Sequence, residues 1–180
     1  MLNKNEFLIR PMNESDYVLI AKWLSDEKVL EYYGPRLTLE QVITKYGPRI
    51  EGNHSVKPYI VEYKNTPIGY MQYYPILDTQ LRAYGYLEQQ HIFGIDQFIG
   101  EINLWGKGIG STMISMLLEY ISLKESVQLV ILDVKNTNVR AIKCYEKCGF
   151  RTVGSLENNY SLMEWTPSLF CDLIEKNVTV

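Results

Sequence analysis

The sequence predicts a mixed α/β fold with a central sheet, and three observations carry that prediction. Strand-like and helix-like stretches alternate along the 180 residues. The run VQLVILDV is continuously apolar, as expected of a strand buried on both faces. A glycine cluster, WGKGIGS at residues 105 to 111, opens directly into the helix-forming run TMISMLLEYISLK.

In chain order, FLIRPM reads as the first strand, and NESD supplies capping residues for one helix over YVLIAKWLSDEKVL. Thr38 opens a second helix, LEQVITKYG, which the Gly47-Pro48 pair ends. PYIVEY and IGYMQYYPI are rich in aromatic and β-branched residues and are joined by KNTP, a hairpin signal. DTQLRAYGYLEQQH shows no clear period and reads as a loop or insertion. IFGIDQFIG is strand-like, and the glycine loop, its helix and VQLVILDV follow, so residues 92 to 134 form a strand-loop-helix-strand crossover. NTN caps a helix over VRAIKCYEKC, and Gly149 stands where a helix end favours positive φ. FRTVGSL and YSLMEW close the chain as strands. No repeat, low-complexity tract or linker-like shift divides the sequence, so residues 1–180 read as a single domain.

Composition narrows the function classes. The chain is 46% apolar, enough for a full core without disulfides or metal. No run reaches the roughly 18 to 20 apolar residues of a membrane span. The opening MLNKNEFLIRPMNESD is too polar for a signal peptide, so a cytoplasmic protein with no membrane partner is expected. Cys144, Cys148 and Cys171 fit no secretory spacing; with only His54 and His91 as further soft ligands, reduced thiols are expected and a metal is not. A net charge of −3 disfavours a nucleic-acid partner and is compatible with a cationic substrate without requiring one.

The glycine loop is the sharpest chemical signal. A helix N-terminus presents unpaired N–H groups at the positive end of the helix dipole, a natural seat for phosphate. The nucleotide P-loop is excluded, because Lys107 precedes the helix glycines instead of following them. The dinucleotide fingerprint starting at Gly108 needs a small residue at 113, where Met113 stands. By itself the cluster is equally a tight turn.

Its surroundings add to this. GKGIGS, the long helix, the apolar strand and then NVRAIKCYEKCGF together resemble the acyl-CoA N-acyltransferase (GNAT) superfamily over residues 92 to 151. The resemblance implies a GNAT fold in which splayed strands form an acetyl-CoA cleft. It also implies that the amides of Gly106, Lys107, Gly108, Ile109, Gly110 and Ser111 hold the coenzyme diphosphate, with Asn138 a further coenzyme contact. Trp105 departs from the superfamily, which carries Gln or Arg there; a backbone cradle tolerates the change. KWLSDEKVLEYYG, PIGYMQYY, FGIDQFIGE, LWGKGIG, ILDVKNTNVRAIKCYEKCGF and YSLMEW resemble, more narrowly, the aminoglycoside 6′-N-acetyltransferases from about residue 22 to 165. In that group Leu or Trp at the position of Trp105 is normal.

Acetyl transfer needs a held thioester, a neutral amine, an oxyanion donor and a proton for the leaving thiolate. The resemblance implies that backbone N–H groups near Phe98 and Ile99 hold the pantetheine or the carbonyl. Tyr145 is implied as general acid; read from the residues alone it is instead a core residue of an amphipathic helix. Asp96 is the implied base. Its reference pKa near 3.9 is too low to deprotonate an ammonium outright, so orienting the amine and taking its proton after attack is the preferred role. Asp133 ends the buried strand and is implied to face the aminoglycoside; capping the next helix is the alternative. Tyr33, Tyr46 and Gln72 fall where the group lines its sugar pocket, and His54 where relatives carry an acidic residue. Asp96 and Asp133, assisted by Glu101 and Glu164, would attract a polycation, while Lys107 faces the anionic coenzyme.

The leading expectation is acetyl-CoA-dependent 6′-N-acetylation of aminoglycosides, giving antibiotic resistance. The alternatives are a GNAT enzyme for a polyamine, another small amine or a protein N-terminus, and a non-catalytic acyl-CoA-binding protein. Monomer and homodimer both stay open.

Overall fold

A computed structural model describes residues 2–87 and 90–167; Cys171 and part of the 78–91 segment lie outside the described residues. The described chain divides into two compact units, residues 2–74 with 96–116, and residues 75–87, 90–95 and 117–167.

The first unit is built on strands β1 (Leu2–Lys4), β2 (Phe7–Pro11), β3 (Lys57–Tyr63) and β4 (Thr66–Pro75), antiparallel neighbours in that order. Strand β5 (Ile92–Ile99) supplies its second half; beyond it, Gly100 N–H donates to Ile68 O at 2.8 Å. β1 is an addition to the predicted elements, three residues too short to show a period. The predicted hairpin turns on Lys64 and Asn65, at φ 52° and 59°, the paired left-handed geometry of a tight two-residue turn.

The expected first helix is two. α1 (Tyr17–Trp23) stops, and Asp26 starts α2 (Glu27–Leu30) by accepting from Lys28 N–H at 2.8 Å. Thr38 and Gln41 cap each other's amides and open α3 (Leu39–Ile50). The sequence reading ended that helix at Gly47-Pro48, yet α3 runs through Pro48. Proline forfeits only its own N–H, and the ladder resumes with Glu51 N–H on Gly47 O at 3.0 Å. Trp23, Val42, Tyr46, Ile60, Tyr70 and Phe98 form the core between these helices and the strands.

The second unit contains α4 (Asp78–Ala83), a helix in the segment read as a loop, and the first half of β5. It continues with the second half of α5 (Ile109–Lys124), then β6 (Leu129–Lys135), α6 (Val139–Lys147), β7 (Arg151–Leu156) and β8 (Tyr160–Trp165). Its strand order is β5-β6-β8-β7. β5 and β6 pair in parallel from Ile92–Leu129 to Gly94–Ile131. The remaining pairings are antiparallel. The fold is thus mixed α/β, as the sequence predicts. Among the described residues no helix is long and apolar enough to cross a membrane, and no cluster of His, Cys, Asp or Glu could hold a metal.

Candidate active site

At the end of β5 the chain turns into the glycine loop. Gly106 and Gly108 adopt φ 78° and 79°, and a Cβ on either would meet nothing within 4 Å. Glycine is therefore required by the backbone angle and not by crowding. The α5 ladder opens with Thr112 N–H on Gly108 O at 3.3 Å, so the amides of residues 106 to 111 precede it at the positive end of the helix. Gly106, Lys107 and Gly108 are exposed, while Ile109 is buried and anchors the first turn. This cradle suits a diphosphate, with several amides, the adjacent Lys107 and open space beside Gly106 and Gly108. Trp105 donates its indole N–H to Ile99 O at 2.8 Å, tying the end of β5 to the mouth of α5.

Two more glycines hold this corner. A Cβ at Gly69 on β4 would lie 2.5 Å from Phe98 O, so only glycine lets β4 approach β5 there. A Cβ at Gly100 would lie 2.2 Å from the Trp23 ring. The Trp23 indole donates to Glu101 at 2.9 Å, and Lys22 approaches the same carboxylate at 3.1 Å. The Trp23 indole bond, more than Lys22, holds the Glu101 carboxyl below its ordinary pKa. Glu101 thus has local partners, which argues against the substrate-attracting role expected of it.

The predicted acceptor residues of the first unit do come together. Asp96 is half-buried on β5 and accepts from Gln72 Nε2 at 2.5 Å. Gln72 Oε1, buried on β4, accepts from Tyr70 Oη at 2.6 Å and Arg49 Nη1 at 2.8 Å. Tyr33 packs its ring 4.6 Å from Phe98, Tyr70 lies 5.6 Å from the same ring, and Tyr46 meets Tyr70 edge-on at 5.4 Å. Burial drives the Tyr33 and Tyr70 phenols well above their usual pKa and pushes Tyr46 up to about 12, so all three are neutral hydroxyls at physiological pH. His54 is occupied locally, its Nδ1 accepting from Val56 N–H at 3.0 Å.

Sequence reasoning missed Arg49, Lys45 and Tyr70. The Arg49 guanidinium lies 5.2 Å and the Lys45 ammonium 5.5 Å from the Tyr46 ring centroid. Burial, then repulsion from Arg49, lowers the Lys45 pKa, against the pull of Asp96. The available signal was helical spacing, which puts Arg49 three residues beyond Tyr46 on the same face. Ending the helix at Pro48 concealed it.

In the second unit Tyr145 is buried on α6, its ring inclined at 62° to Phe150 with centroids 5.9 Å apart. Asn138 caps α6 by accepting from Ala141 N–H at 3.2 Å, which occupies its oxygen and not its amide nitrogen. Asp133 therefore does not cap that helix. It stands exposed on β6 opposite Leu162, and the protein around it still raises its carboxyl pKa by desolvation. Glu164 accepts a short hydrogen bond from the Tyr86 hydroxyl, a partner in the segment read as a loop.

Comparison with known proteins agrees with this geometry. A family model described as an acetyltransferase (GNAT) domain matches residues 12–157. The aminoglycoside N(6′)-acetyltransferase type 1 of Klebsiella pneumoniae is 33% identical over 161 residues, spanning 86% of this chain and 79% of that protein. The crystal structure of AAC(6′)-Ib with coenzyme A superposes with a TM-score of 0.78 at 30% identity, covering 92% of this chain and 98% of that one. The same enzyme with coenzyme A and kanamycin gives a TM-score of 0.77 at the same identity and coverage.

Proposed function

Because this chain belongs to the GNAT acetyltransferases and, within them, to the aminoglycoside N(6′)-acetyltransferases, we propose that it acetylates the 6′-amino group of aminoglycosides from acetyl-CoA, conferring resistance. The observation that carries the reading is the half-buried Asp96. It is held by Gln72 at 2.5 Å among three tyrosines, four positions before the Gly100 corner that leads to the glycine cradle.

The residues divide the work. The amides of Gly106 to Ser111, with Lys107, bind the diphosphate of acetyl-CoA, and Asn138 contributes through its free amide nitrogen. Backbone N–H groups at Phe98 and Ile99 hold the pantetheine or polarise the thioester carbonyl, the group whose oxygen gains charge as the amine attacks. Asp96 orients the incoming 6′-ammonium and accepts a proton once nitrogen has bonded to carbon, when that proton has become strongly acidic. Tyr145 supplies the hydrogen bond or proton that the departing thiolate needs. The neutral hydroxyls of Tyr33 and Tyr46 and the Gln72 side chain meet the sugar, and Asp133 attracts a second ammonium. Transfer is direct, within a ternary complex.

The matched family region includes parts of both compact units, which supports reading residues 1–180 as one working domain. A cytoplasmic location suits a reaction that consumes acetyl-CoA. The test is a substrate panel of kanamycin, tobramycin, spermidine and an N-terminal peptide with purified protein and acetyl-CoA. Thiol release and mass spectrometry should find one acetyl group on the 6′-amine of the drugs. Turnover of spermidine or peptide far above that of any drug, or coenzyme binding without transfer, would overturn the reading.

A further inference from the structure

Gln72 joins two opposite demands. A carboxamide presents an acceptor at one end and a donor at the other, and which end faces which neighbour is decided by those neighbours. Tyr70 can donate or accept and so decides nothing. Asp96 as a carboxylate can only accept. Arg49 can only donate.

Resting on the proposed role of Asp96, we infer that Arg49 is a positioning residue that acts through Gln72. By donating from Nη1 to Gln72 Oε1 at 2.8 Å, it fixes the amide so that Nε2–H, and not a carbonyl, meets Asp96 at 2.5 Å. Arg49 is itself held, its guanidinium against the Tyr46 ring and its Nε buried with no hydrogen-bond partner among the described residues. Without Arg49 the Tyr70 hydroxyl could accept from Nε2, and the flipped amide would turn its carbonyl on the Asp96 carboxylate. That contact is repulsive until Asp96 binds a proton, which removes it as a base.

The consequence is a shift in the acid limb of the pH–rate profile. Among the described residues, Lys45 and Tyr46 on α3, Tyr33, and Tyr70 on β4 feel the Asp96 charge, and Arg49 reaches it through Gln72. The three phenols stay neutral across the acid limb, while Lys45 and Arg49 carry positive charge beside them.

The experiment uses the full chain with R49M, R49K, Q72L and the R49M/Q72L double variant. It follows kcat and kcat/KM against pH, together with a carbon-13 NMR titration of the Asp96 carboxyl. R49M should move the acid limb and the NMR titration upward by about one pH unit, a loss that approaches tenfold in rate only at pH values below the parent's own midpoint. The loss should fall on kcat more than on KM. R49K, another obligatory donor, should restore much of it. The double variant should shift by about the larger single shift and not by the sum. Should R49M fail to fold, Q72L must show the same upward shift, because it removes the same donor to Asp96. An unchanged profile in R49M or Q72L, a loss confined to KM, or full additivity in the double variant overturns the inference. If D96N acetylates drugs as well as the parent does, it is the role of Asp96 that fails; the NMR titration reads the relay independently of turnover.

Discussion

Gly100→Ala tests how tightly the corner between β5 and the glycine loop is built. The new Cβ would stand 2.2 Å from the Trp23 ring, whereas ordinary contact begins at 3.4 Å, so the indole would have to retreat by 3.4 − 2.2 = 1.2 Å. It has nowhere to go. Trp23 is 1% exposed, its ring meets Phe98 edge-on at 6.0 Å, and its N–H is bound to Glu101. Overpacking of this kind costs about 1–3 kcal/mol. Loss of a hydrogen bond to a carboxylate adds about 1.5–3 kcal/mol. A total of about 4 kcal/mol in a chain of this size lowers the melting temperature by roughly 8–16 °C, at about 2–4 °C per kcal/mol. Thermal unfolding followed by circular dichroism measures it. Gly154→Ala is the control, since that glycine has ordinary φ and nothing within 4 Å. A Gly100→Ala protein melting within about 2 °C of the parent would refute the claim that this corner is rigid.

Asp96→Asn should keep the fold and lower kcat for drug acetylation by about 10²- to 10⁴-fold, the usual worth of a general base, as read by thiol release. Gly108→Ala places a side chain at φ 79° and should cost about 1–2 kcal/mol of stability; calorimetric titration should also find coenzyme A bound more weakly. Asp133→Asn should raise stability at neutral pH. Desolvation raises the Asp133 carboxyl, so its charge burdens the folded state; that burden is absent below the ordinary value of 3.8 and complete once pH has passed the raised one. Melting curves should therefore separate from the parent at pH 7 and coincide near pH 3, and a gain that persists in acid would contradict this account.

Much of the fold was legible because its signals are local. Thr38 with Gln41, Asn138 before α6 and Gly149 after it are capping chemistry written within a few residues. The errors arose where a local signal met a tertiary one. Gly47-Pro48 looks like a stop, but α3 is held by Val42 and Tyr46 in the core, and one missing N–H does not outweigh that burial. Asp26 starts a new helix inside what looks like one amphipathic run. At the site, Asp96, Gln72, Tyr33 and Tyr46 were legible through resemblance, whereas Arg49 required knowing that α3 continues. The partners of Glu101 and Glu164 lie 78 positions away in sequence in each case, at Trp23 and Tyr86, a separation no short pattern spans.

Lys45, Tyr46 and Arg49 all ride on α3, while the diphosphate cradle belongs to the opening of α5. On the proposed roles, drug choice and coenzyme grip are carried on separate helices. If those roles hold, exposure to a new antibiotic would select changes along α3 and leave the glycine mouth intact, so the range of inactivated drugs could evolve without loss of the grip on the acetyl donor.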